Sequence, residues 1–405
     1  MSVQIFGIDW ASRLHVSCHI NETGARVGGL KFANDAKGFG ELQKALEDAA
    51  KLGEVWIGIE KHDSPIHYFL RTLPYPLYEI PASRIAKRRS SENAARTKSD
   101  AKDAKVIANV VRTDSGELRP YKPEIIETAI VSQLSNERTR LVSEQTAAIN
   151  LLRATLARAN PVMNDLWKDL SRPAVLRFIK SFPSTNTTRN LTIEEIKAAL
   201  KTAGYRNKRG TEKVIQALGT SVVGADPKLL DCMAGTVQRR VDRLLSLIDQ
   251  IQAVEAELQK AIEAHPDNEV ISSFPYFGDV LKASFIAGVG SDRSRFATAQ
   301  PLTAFAGIAP VTAQSGRNRV AFARRQCNKD LKRFFIYHAF VSLRNPWARS
   351  IYDAAKKRGK HHYEALKILA MAWARVLFQC WKTKTPYDPK KHGGAERFSA
   401  AANAA

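Results

Sequence analysis

The amino-acid sequence predicts an α/β domain, then a long helical region, then a mostly helical C-terminal domain. Strand and helix patterns alternate over residues 1–115, and two later stretches repeat apolar residues at helical spacing. The remainder, from about 268 to 385, is again rich in helical patterns. A chain of 405 residues also exceeds one ordinary core, which favours two or three domains.

The N-terminal elements can be taken in order. They are predicted strands at 3–9, 15–20 and 25–33, a helix over 36–52, strands at 54–60 and 76–80 around a short helical connection, and a helix over 99–113. Asn21 and Gly24 mark a tight turn, and Ser99 is a suitable N-cap for the last helix. The order βββαβαβα is that of an RNase H-like domain.

Two long helical stretches follow, at 124–160 and 226–264. In the second, apolar residues recur at steps of three or four: Leu244, Ile248, Ile251, Val254, Leu258 and Ile262. A strict heptad would place Glu255 in this seam, so the pattern allows a coiled coil or an ordinary amphipathic helix. The partner could be residues 130–158 of the same chain or a second chain. The intervening residues 161–225, which contain three prolines, are predicted to be irregular.

These patterns predict four regions. They are an α/β domain at 1–120, a helical linker region at 121–265, a mostly helical C-terminal domain at 266–388, and a tail at 389–405. The C-terminal domain includes a long apolar helix over 364–381. The tail is rich in Lys, Gly and Ala, and we expect it to be disordered.

The charge balance points to a polyanionic partner. Sixty-two Lys and Arg residues against forty acidic residues give a formal net charge of +22. Such a surplus favours binding to a phosphate backbone with release of counterions, so nucleic acid is the expected partner. A membrane partner is disfavoured because no run of 18 or more apolar residues occurs.

Cysteine usage and the first residues indicate the compartment. The four cysteines are scattered without a C-x-x-C pair, which argues against a zinc site or a disulfide framework. The opening MSVQIFGIDWAS has no charged segment followed by an apolar one, as a secretory signal would. We therefore expect a cytoplasmic protein.

Four carboxylates form a candidate metal site. Asp9 and Glu60 each end a predicted buried strand, where an unpaired carboxylate is costly unless it has a function. Asp100 and Asp103 are three residues apart on a helix and share a face. Converging on one edge, such carboxylates could hold two Mg²⁺ ions about 4 Å apart, the arrangement used to cleave phosphodiesters. A turn residue, a helix-dipole charge and a surface ion-pair partner are the structural alternatives.

Basic residues surround the last two carboxylates. Residues 84–112 carry nine basic and three acidic side chains. The basic residues predicted to bind nucleic acid here are Arg84, Lys87, Arg88, Arg89, Arg96 and Lys98. A solvated basic loop is the alternative interpretation.

A second candidate site lies in the segment QSGRNR at 314–319. Ser315 precedes Gly316, which permits close backbone approach to a phosphate. Basic residues follow, and those predicted to bind nucleic acid are Arg317, Arg319, Arg324, Arg325, Lys329 and Arg333. On the residues alone, a serine in a basic loop is more often a phosphate contact than a nucleophile. No nearby His and Asp pattern supports a hydrolase triad.

Several motifs together resemble those of the DEDD-type transposases of the insertion sequence 110 family, which include the Piv-type DNA invertases. They are FGIDWAS, the glutamate of WIGIEKH, KSDAKDAKVIA and FATAQPLTAFAGIAPVTAQSGR. The resemblance covers residues 3–385. One departure is FPYFGDV at 274–280, which stands where a helix-hairpin-helix-like P-G-x-G turn is expected.

The resemblance implies a RuvC-like N-terminal domain in which Asp9, Glu60, Asp100 and Asp103 bind Mg²⁺, and a C-terminal transposase domain in which Ser315 is the nucleophile. It implies a covalent serine–DNA intermediate, a homo-oligomer that pairs the acidic site of one subunit with the serine of another, and a noncoding bridge RNA that pairs with donor and target DNA. A Piv-like invertase, a junction-resolving nuclease using water, and a non-catalytic DNA- or RNA-binding protein are the competing hypotheses.

Overall fold

The computed structural model describes residues 2–92, 99–219, 226–315, 318–322 and 324–391. Contacts within the chain divide it into two compact units, residues 1–123 and 124–405. The predicted tail lies outside the described residues from 392 onward. An α/β N-terminal part followed by a mostly helical remainder, as predicted from the sequence, is confirmed.

The first unit is built on a five-stranded mixed sheet. Its strands are β1 Val3–Asp9, β2 Leu14–Asn21, β3 Arg26–Ala33, β4 Glu54–Glu60 and β5 Leu77–Ile80. They lie in the order β3-β2-β1-β4-β5. β2 is antiparallel to both β1 and β3, whereas β1, β4 and β5 run parallel. The five predicted strands agree with these bounds to within a residue.

Helices cover both faces of this sheet. They are α1 Ala36–Ala50, α2 Pro65–Arg71, α3 Ala82–Glu92 and α4 Asp100–Asp114. One core lies between the sheet and α1 and α2, and the other between the sheet and α4. Because β1 is covered on both faces, its sequence VQIFGID is apolar almost throughout. Helix α3 was not predicted as an element, since Ile85 is its only deeply buried large apolar side chain.

Two long helices dominate the start of the second unit. They are α5 Ile126–Ala159 and α11 Pro227–Glu263, which pack against each other within the chain. The predicted seam faces this contact, with Leu244 and Leu258 almost fully buried. Glu255 stays half-exposed and pairs with Arg138 of α5 at 2.7 Å. The apolar seam of α11 therefore packs against α5 of the same chain.

The prediction that residues 161–225 are irregular is wrong. Five short helices occupy most of this segment: α6 Pro161–Leu166, α7 Pro173–Ser181, α8 Thr185–Thr188, α9 Ile193–Thr202 and α10 Lys208–Gly219. Pro161 and Pro173 lie in the first turn of their helices. Backbone N–H groups in a first turn have no acceptor within the helix, so proline, which lacks this N–H, is well tolerated there. Four of these helices, α6, α7, α9 and α10, share one apolar core with α5 and α11.

In its described residues, the C-terminal part consists of helices and one hairpin. Its elements are α12 Asn268–Ser272, α13 Asp279–Val289, α14 Ala299–Phe305, strands β6 Val311–Ser315 and β7 Asn318–Phe322, α15 Lys329–Val341, α16 Pro346–Lys357 and α17 His362–Thr383. α17 is the long helix predicted at 364–381, and it buries Trp373 and Trp381 in the core. Across the ranges that the structure describes, no helix is long and apolar enough to cross a membrane.

Candidate active site

Two of the predicted carboxylates end neighbouring parallel strands. β1 and β4 pair in a register that sets Ile8 against Ile59, so Asp9 and Glu60 come next at the same edge of the sheet. Strands in a sheet are about 4.8 Å apart, which makes these residues neighbours across the two strands. Both side chains are half-buried. The carboxyl edge of an open parallel sheet is where ligands commonly bind.

The other two carboxylates reach this edge because α4 packs unusually close to the sheet. Gly7 pairs with Gly58 across β1 and β4. A Cβ on Gly7 would lie 2.1 Å from the Ala104 carbonyl oxygen, and one on Gly58 would lie 2.5 Å from a Val111 methyl. Only glycine at both positions admits the helix at this distance. The close contact fixes the N-terminal turn of α4 beside the strand ends.

Ser99 caps that turn, as predicted, by accepting a hydrogen bond from the Lys102 N–H. Asp100 is exposed, whereas Asp103 is almost fully buried. The Asp103 N–H also donates to the Ser99 carbonyl at 3.0 Å. The local sequence therefore holds one carboxylate toward solvent and one toward the protein at the first turn of α4.

The charges of the three other carboxylates act on Asp9. Burial raises the pKa of Asp9 to about 6, and the negative charges of Asp103, Asp100 and Glu60 add to this effect, against a lowering by Arg89. A carboxylate destabilised by burial and by like charges is typical of functional sites. The structure thus brings together the four residues that were predicted from the sequence to form one site.

A guanidinium enters this cluster. Arg89 of α3 lies with its Nε 2.8 Å from an Asp103 carboxylate oxygen. The Nε–H is not aligned for a hydrogen bond, so the contact is an ion pair. Among the described residues, no group of three or more His, Cys, Asp and Glu side chains is arranged to hold a metal ion. The donor set is nonetheless all carboxylate oxygen, which suits Mg²⁺.

Three aromatic residues next to the strand ends were not predicted as part of the site. Trp10, directly after Asp9, packs on His62 with ring centroids 3.9 Å apart. The Nε2 of buried His67 lies 2.8 Å from the Glu60 carbonyl oxygen, and its Nδ1 lies 2.8 Å from the Ser64 hydroxyl. Burial lowers the pKa of His67. His67 holds the end of β4 through the Glu60 carbonyl. The three-residue spacing of Ser64 and His67 is the sequence feature that could have predicted this contact.

The basic residues predicted around this site differ in their surroundings. Arg84 pairs with Asp114 at 3.2 Å and also with Glu117, so its charge is engaged within the unit. Lys87 is exposed and Arg88 is half-buried. Arg96 and Lys98 lie outside the described residues. Among the members of this set that the structure describes, Arg89 forms the ion pair with Asp103 given above.

Ser315 is the last residue of β6 in the second unit. It pairs with Asn318, the first residue of β7, so β6 and β7 form an antiparallel hairpin. Arg317 lies outside the described residues, and of Arg319 only the strand position is described. Farther along, Arg325 and Lys329 are exposed, Arg324 is half-buried, and Arg333 is exposed and lies 3.4 Å from Asp330.

The turn that departs from P-G-x-G keeps a glycine-like backbone. Tyr276 stands at the expected glycine position and has φ +65°, in the left-handed region. Pro275 before it contributes its carbonyl oxygen to His338 Nε2 at 3.3 Å. Phe277 packs edge-on against the same imidazole, with centroids 4.5 Å apart. Packing against α15 therefore holds a conformation that tyrosine alone disfavours.

A carboxylate cluster at the carboxyl edge of a mixed sheet, next to basic residues in a strongly basic chain, defines a class of enzyme that cleaves phosphodiesters in nucleic acids. Comparison with known proteins identifies the family. Residues 6–161 match the DEDD transposase model of IS110, described as a transposase. Residues 268–353 match the model of the transposase IS116/IS110/IS902 family.

Curated relatives align over nearly the full chain. The candidate transposase of the IS117 mini-circle from Streptomyces coelicolor is 27% identical over 96% of this chain and 97% of its own length. The 42 kDa protein of insertion element IS900 from Mycobacterium paratuberculosis is 27% identical over 95% and 96%. The 43.6 kDa protein of IS110 from Streptomyces coelicolor is 29% identical over 86% and 87%. The chain belongs to the IS110/IS116/IS902 family of transposases and is a DNA-cleaving, strand-transferring enzyme.

Proposed function

We propose that this transposase excises and integrates an insertion sequence through a covalent serine–DNA intermediate. Ser315 is the nucleophile, and Asp9, Glu60, Asp100 and Asp103 form the metal-dependent acidic site. The proposed acidic site rests on one observation: the charges of Glu60, Asp100 and Asp103 act on Asp9 at the carboxyl end of β1. The serine half is supported by the hairpin position of Ser315 before a basic segment.

The N-terminal unit is proposed to be a RuvC-like domain of RNase H type. The strand order β3-β2-β1-β4-β5, with only β2 antiparallel to its neighbours, supports this assignment. So does the delivery of carboxylates by the ends of β1 and β4 and by a helix packed on the sheet. The functional division into residues 1–120, 121–265 and 266–388 belongs to the same proposal.

The carboxylates are proposed to hold Mg²⁺, in the two-ion arrangement expected from the sequence. Divalent cations bound there would polarise the scissile phosphate and favour ionisation of the attacking hydroxyl. Buried Asp103 and desolvated Asp9 supply oxygen ligands whose mutual repulsion a cation relieves. Arg89 neutralises part of this charge in the metal-free protein, which keeps the carboxylates together.

The proposed chemistry is a transesterification. The Ser315 Oγ forms a bond to the DNA phosphorus while one phosphorus–oxygen ester bond breaks, and the hydroxyl proton is transferred to the departing strand oxygen. The product is a phosphodiester between serine and DNA plus a free strand hydroxyl. Attack of a second strand's hydroxyl on this ester reverses the bond exchange and releases Ser315. The number of phosphodiester bonds is unchanged, so no external energy source is required.

Partners follow from the same proposal. Donor and target DNA are the substrates, a noncoding bridge RNA selects the sequences, and a homo-oligomer of two or four chains assembles the complex in the cytoplasm. The net charge of +22 supports binding of several nucleic-acid strands at once.

A denaturing-gel assay tests the proposal. Purified protein, Mg²⁺, the flanking noncoding RNA and labelled element-junction DNA are combined, and wild type is compared with Ser315→Ala and Asp9→Ala. Labelled DNA should migrate with wild-type protein and with neither variant, while both variants keep their circular dichroism. Cleavage without an adduct that persists in Ser315→Ala would instead identify a nuclease that uses water. Inversion of a segment between two sites, without excision, would identify a Piv-like invertase.

A further inference from the structure

Helix α15 has an unusual solvent-facing side. Its buried side carries Leu331, Phe334, Phe335, His338 and Ala339. The opposite side begins with Lys329 and Arg333 and continues with Tyr337 and Phe340, at steps of four, four and three residues. Tyr337 is 55% exposed and Phe340 is 51% exposed. A helix face turned to solvent is usually polar, so two large aromatic rings at consecutive positions on it require a partner or a function.

A second helix completes a groove beside these rings. Tyr363 and Leu366 of α17 line an open cleft of about 430 Å³ together with residues of α15. We call this cleft the aromatic groove and define it by Lys332, Arg333, Tyr337, Phe340, Tyr363 and Leu366. Its volume lies within the roughly 300–1,000 Å³ typical of ligand clefts. Three aromatic side chains around one cleft offer flat apolar surfaces to a ligand.

Positive charge surrounds the groove. Lys329, Lys332 and Arg333 lie in the first two turns of α15, and the Lys367 Nζ lies over the Tyr363 ring at 4.9 Å from its centroid. Burial lowers the pKa of Lys367, and the neighbouring charge of Lys332 lowers it further. The acids nearby are Asp330 and Glu364, fewer than the cations. An anionic ligand would relieve the repulsion between the two lysines.

The two features together specify the chemistry of the ligand. Aromatic rings stack on nucleobases, and adjacent cations bind the connecting phosphates; this combination is typical of sites for single-stranded nucleic acid. Duplex DNA exposes its phosphates but hides its base faces, so it would leave the rings unused. Because the enzyme cleaves and transfers DNA strands, unpaired nucleotides arise during its own reaction.

We propose that the aromatic groove binds an unpaired stretch of DNA strand, with bases stacked on Tyr337 and Phe340 and phosphates paired with Lys332 and Arg333. The site would retain a strand that has separated from its complement during transfer. This proposal rests on the strand-transferring activity of the family and is independent of whether Ser315 is the nucleophile.

Binding of an oligothymidylate that carries one 2-aminopurine tests the proposal with the full-length protein at about 0.15 M salt. Tyr337→Ala and Phe340→Ala should each raise the dissociation constant about 5- to 150-fold and remove the quenching of 2-aminopurine that stacking causes. Tyr337→Phe keeps the ring and should bind as wild type does. Tyr68→Ala, which removes an equally exposed tyrosine of the first unit, is the matched control and should have no effect.

Salt dependence separates the cations from the rings. Lys332→Gln should reduce the slope of log affinity against log salt concentration by about 0.7, whereas Tyr337→Ala should leave the slope unchanged. Circular dichroism checks the folding of each variant; Tyr337 and Phe340 are exposed, and Lys332 is half-buried.

Three results would overturn the proposal. Wild-type affinity and quenching in Tyr337→Ala would show that the rings do not contact bases. Tighter binding of an oligouridylate of equal length through the same rings would assign the groove to RNA. A change in the sedimentation of Tyr337→Ala, without a change in DNA affinity, would make this face a contact between copies of the chain.

Discussion

The Cα of Gly7 in β1 lies so close to the Ala104 carbonyl oxygen of α4 that a Cβ there would stand 2.1 Å from that oxygen. Gly7 is two residues before Asp9, and Ala104 directly follows Asp103. The contact therefore sets the separation between a carboxylate on the sheet and a carboxylate on the helix. A small residue in the core determines the geometry of the acidic site.

Gly7→Ala is expected to destabilise the protein by about 1–3 kcal/mol or more, because the obstacle is backbone and cannot turn away. Moving α4 outward should also weaken the acidic site. Urea unfolding of the isolated variant measures the first effect, and Mg²⁺-dependent DNA cleavage measures the second. Gly28→Ala in β3 is the control, since its Cβ would meet nothing within 4 Å. Equal stability of Gly7→Ala and Gly28→Ala would contradict this account of the packing.

Arg89→Gln removes the cation that faces buried Asp103. Without Mg²⁺, the variant should lose about 1–3 kcal/mol of stability because the carboxylate is left without a counter-charge. Adding Mg²⁺ should restore more stability to the variant than it adds to wild type, since metal and guanidinium neutralise the same group. Thermal unfolding with and without Mg²⁺ provides the measurement.

Arg84→Gln is the comparison for that experiment. Arg84 lies on the same helix but pairs with Asp114 and Glu117, so its loss should not be compensated by Mg²⁺. If Mg²⁺ rescued both variants equally, Arg89 would have no specific relation to the acidic site.

His338 makes stability depend on pH. Burial lowers the pKa of His338 to about 3, whereas a histidine in an unfolded chain has a pKa of about 6.5. Between these values the unfolded chain binds a proton that the folded chain does not, so stability falls as pH decreases through this window. The contribution amounts to at most about 1.4 kcal/mol per pH unit.

Urea unfolding of wild type and His338→Phe at pH 7 and pH 5 isolates this effect from that of other histidines. The variant should lose less stability on acidification than wild type. A steeper loss in His338→Phe would reverse the predicted sign.

The four carboxylates could be proposed as one site from the sequence because each of their signals is local. An apolar strand such as VQIFGID that ends in Asp9 has few structural explanations, and Ser99 caps the helix that carries Asp100 and Asp103. The ion pair of Arg89 with Asp103 was not predictable, since it depends on how α3 crosses α4. Trp10 and His62 were missed because their contact depends on packing between elements, and His67 was missed although its spacing from Ser64 offered a local signal.

In two other regions the sequence pattern gave a wrong prediction or none. The prolines at 161 and 173 suggested irregular structure, although they occupy helix starts. In the later part of α15 the sequence FFIYHAFV is apolar on almost every side, so periodicity could not show that Tyr337 and Phe340 face solvent. The exposed rings of the aromatic groove become visible only when the neighbouring helices are in place.

Mass spectrometry of the trapped protein–DNA adduct tests the central claim most directly. After digestion with nuclease and trypsin, the peptide of residues 296–317 should carry a nucleotide, and Ser315 is its only serine. Fragmentation that places the nucleotide on Ser315, together with loss of the adduct in Asp9→Ala, is the predicted result. A nucleotide on another residue, or DNA cleavage with an unmodified peptide, would contradict the assignment of Ser315 as the nucleophile.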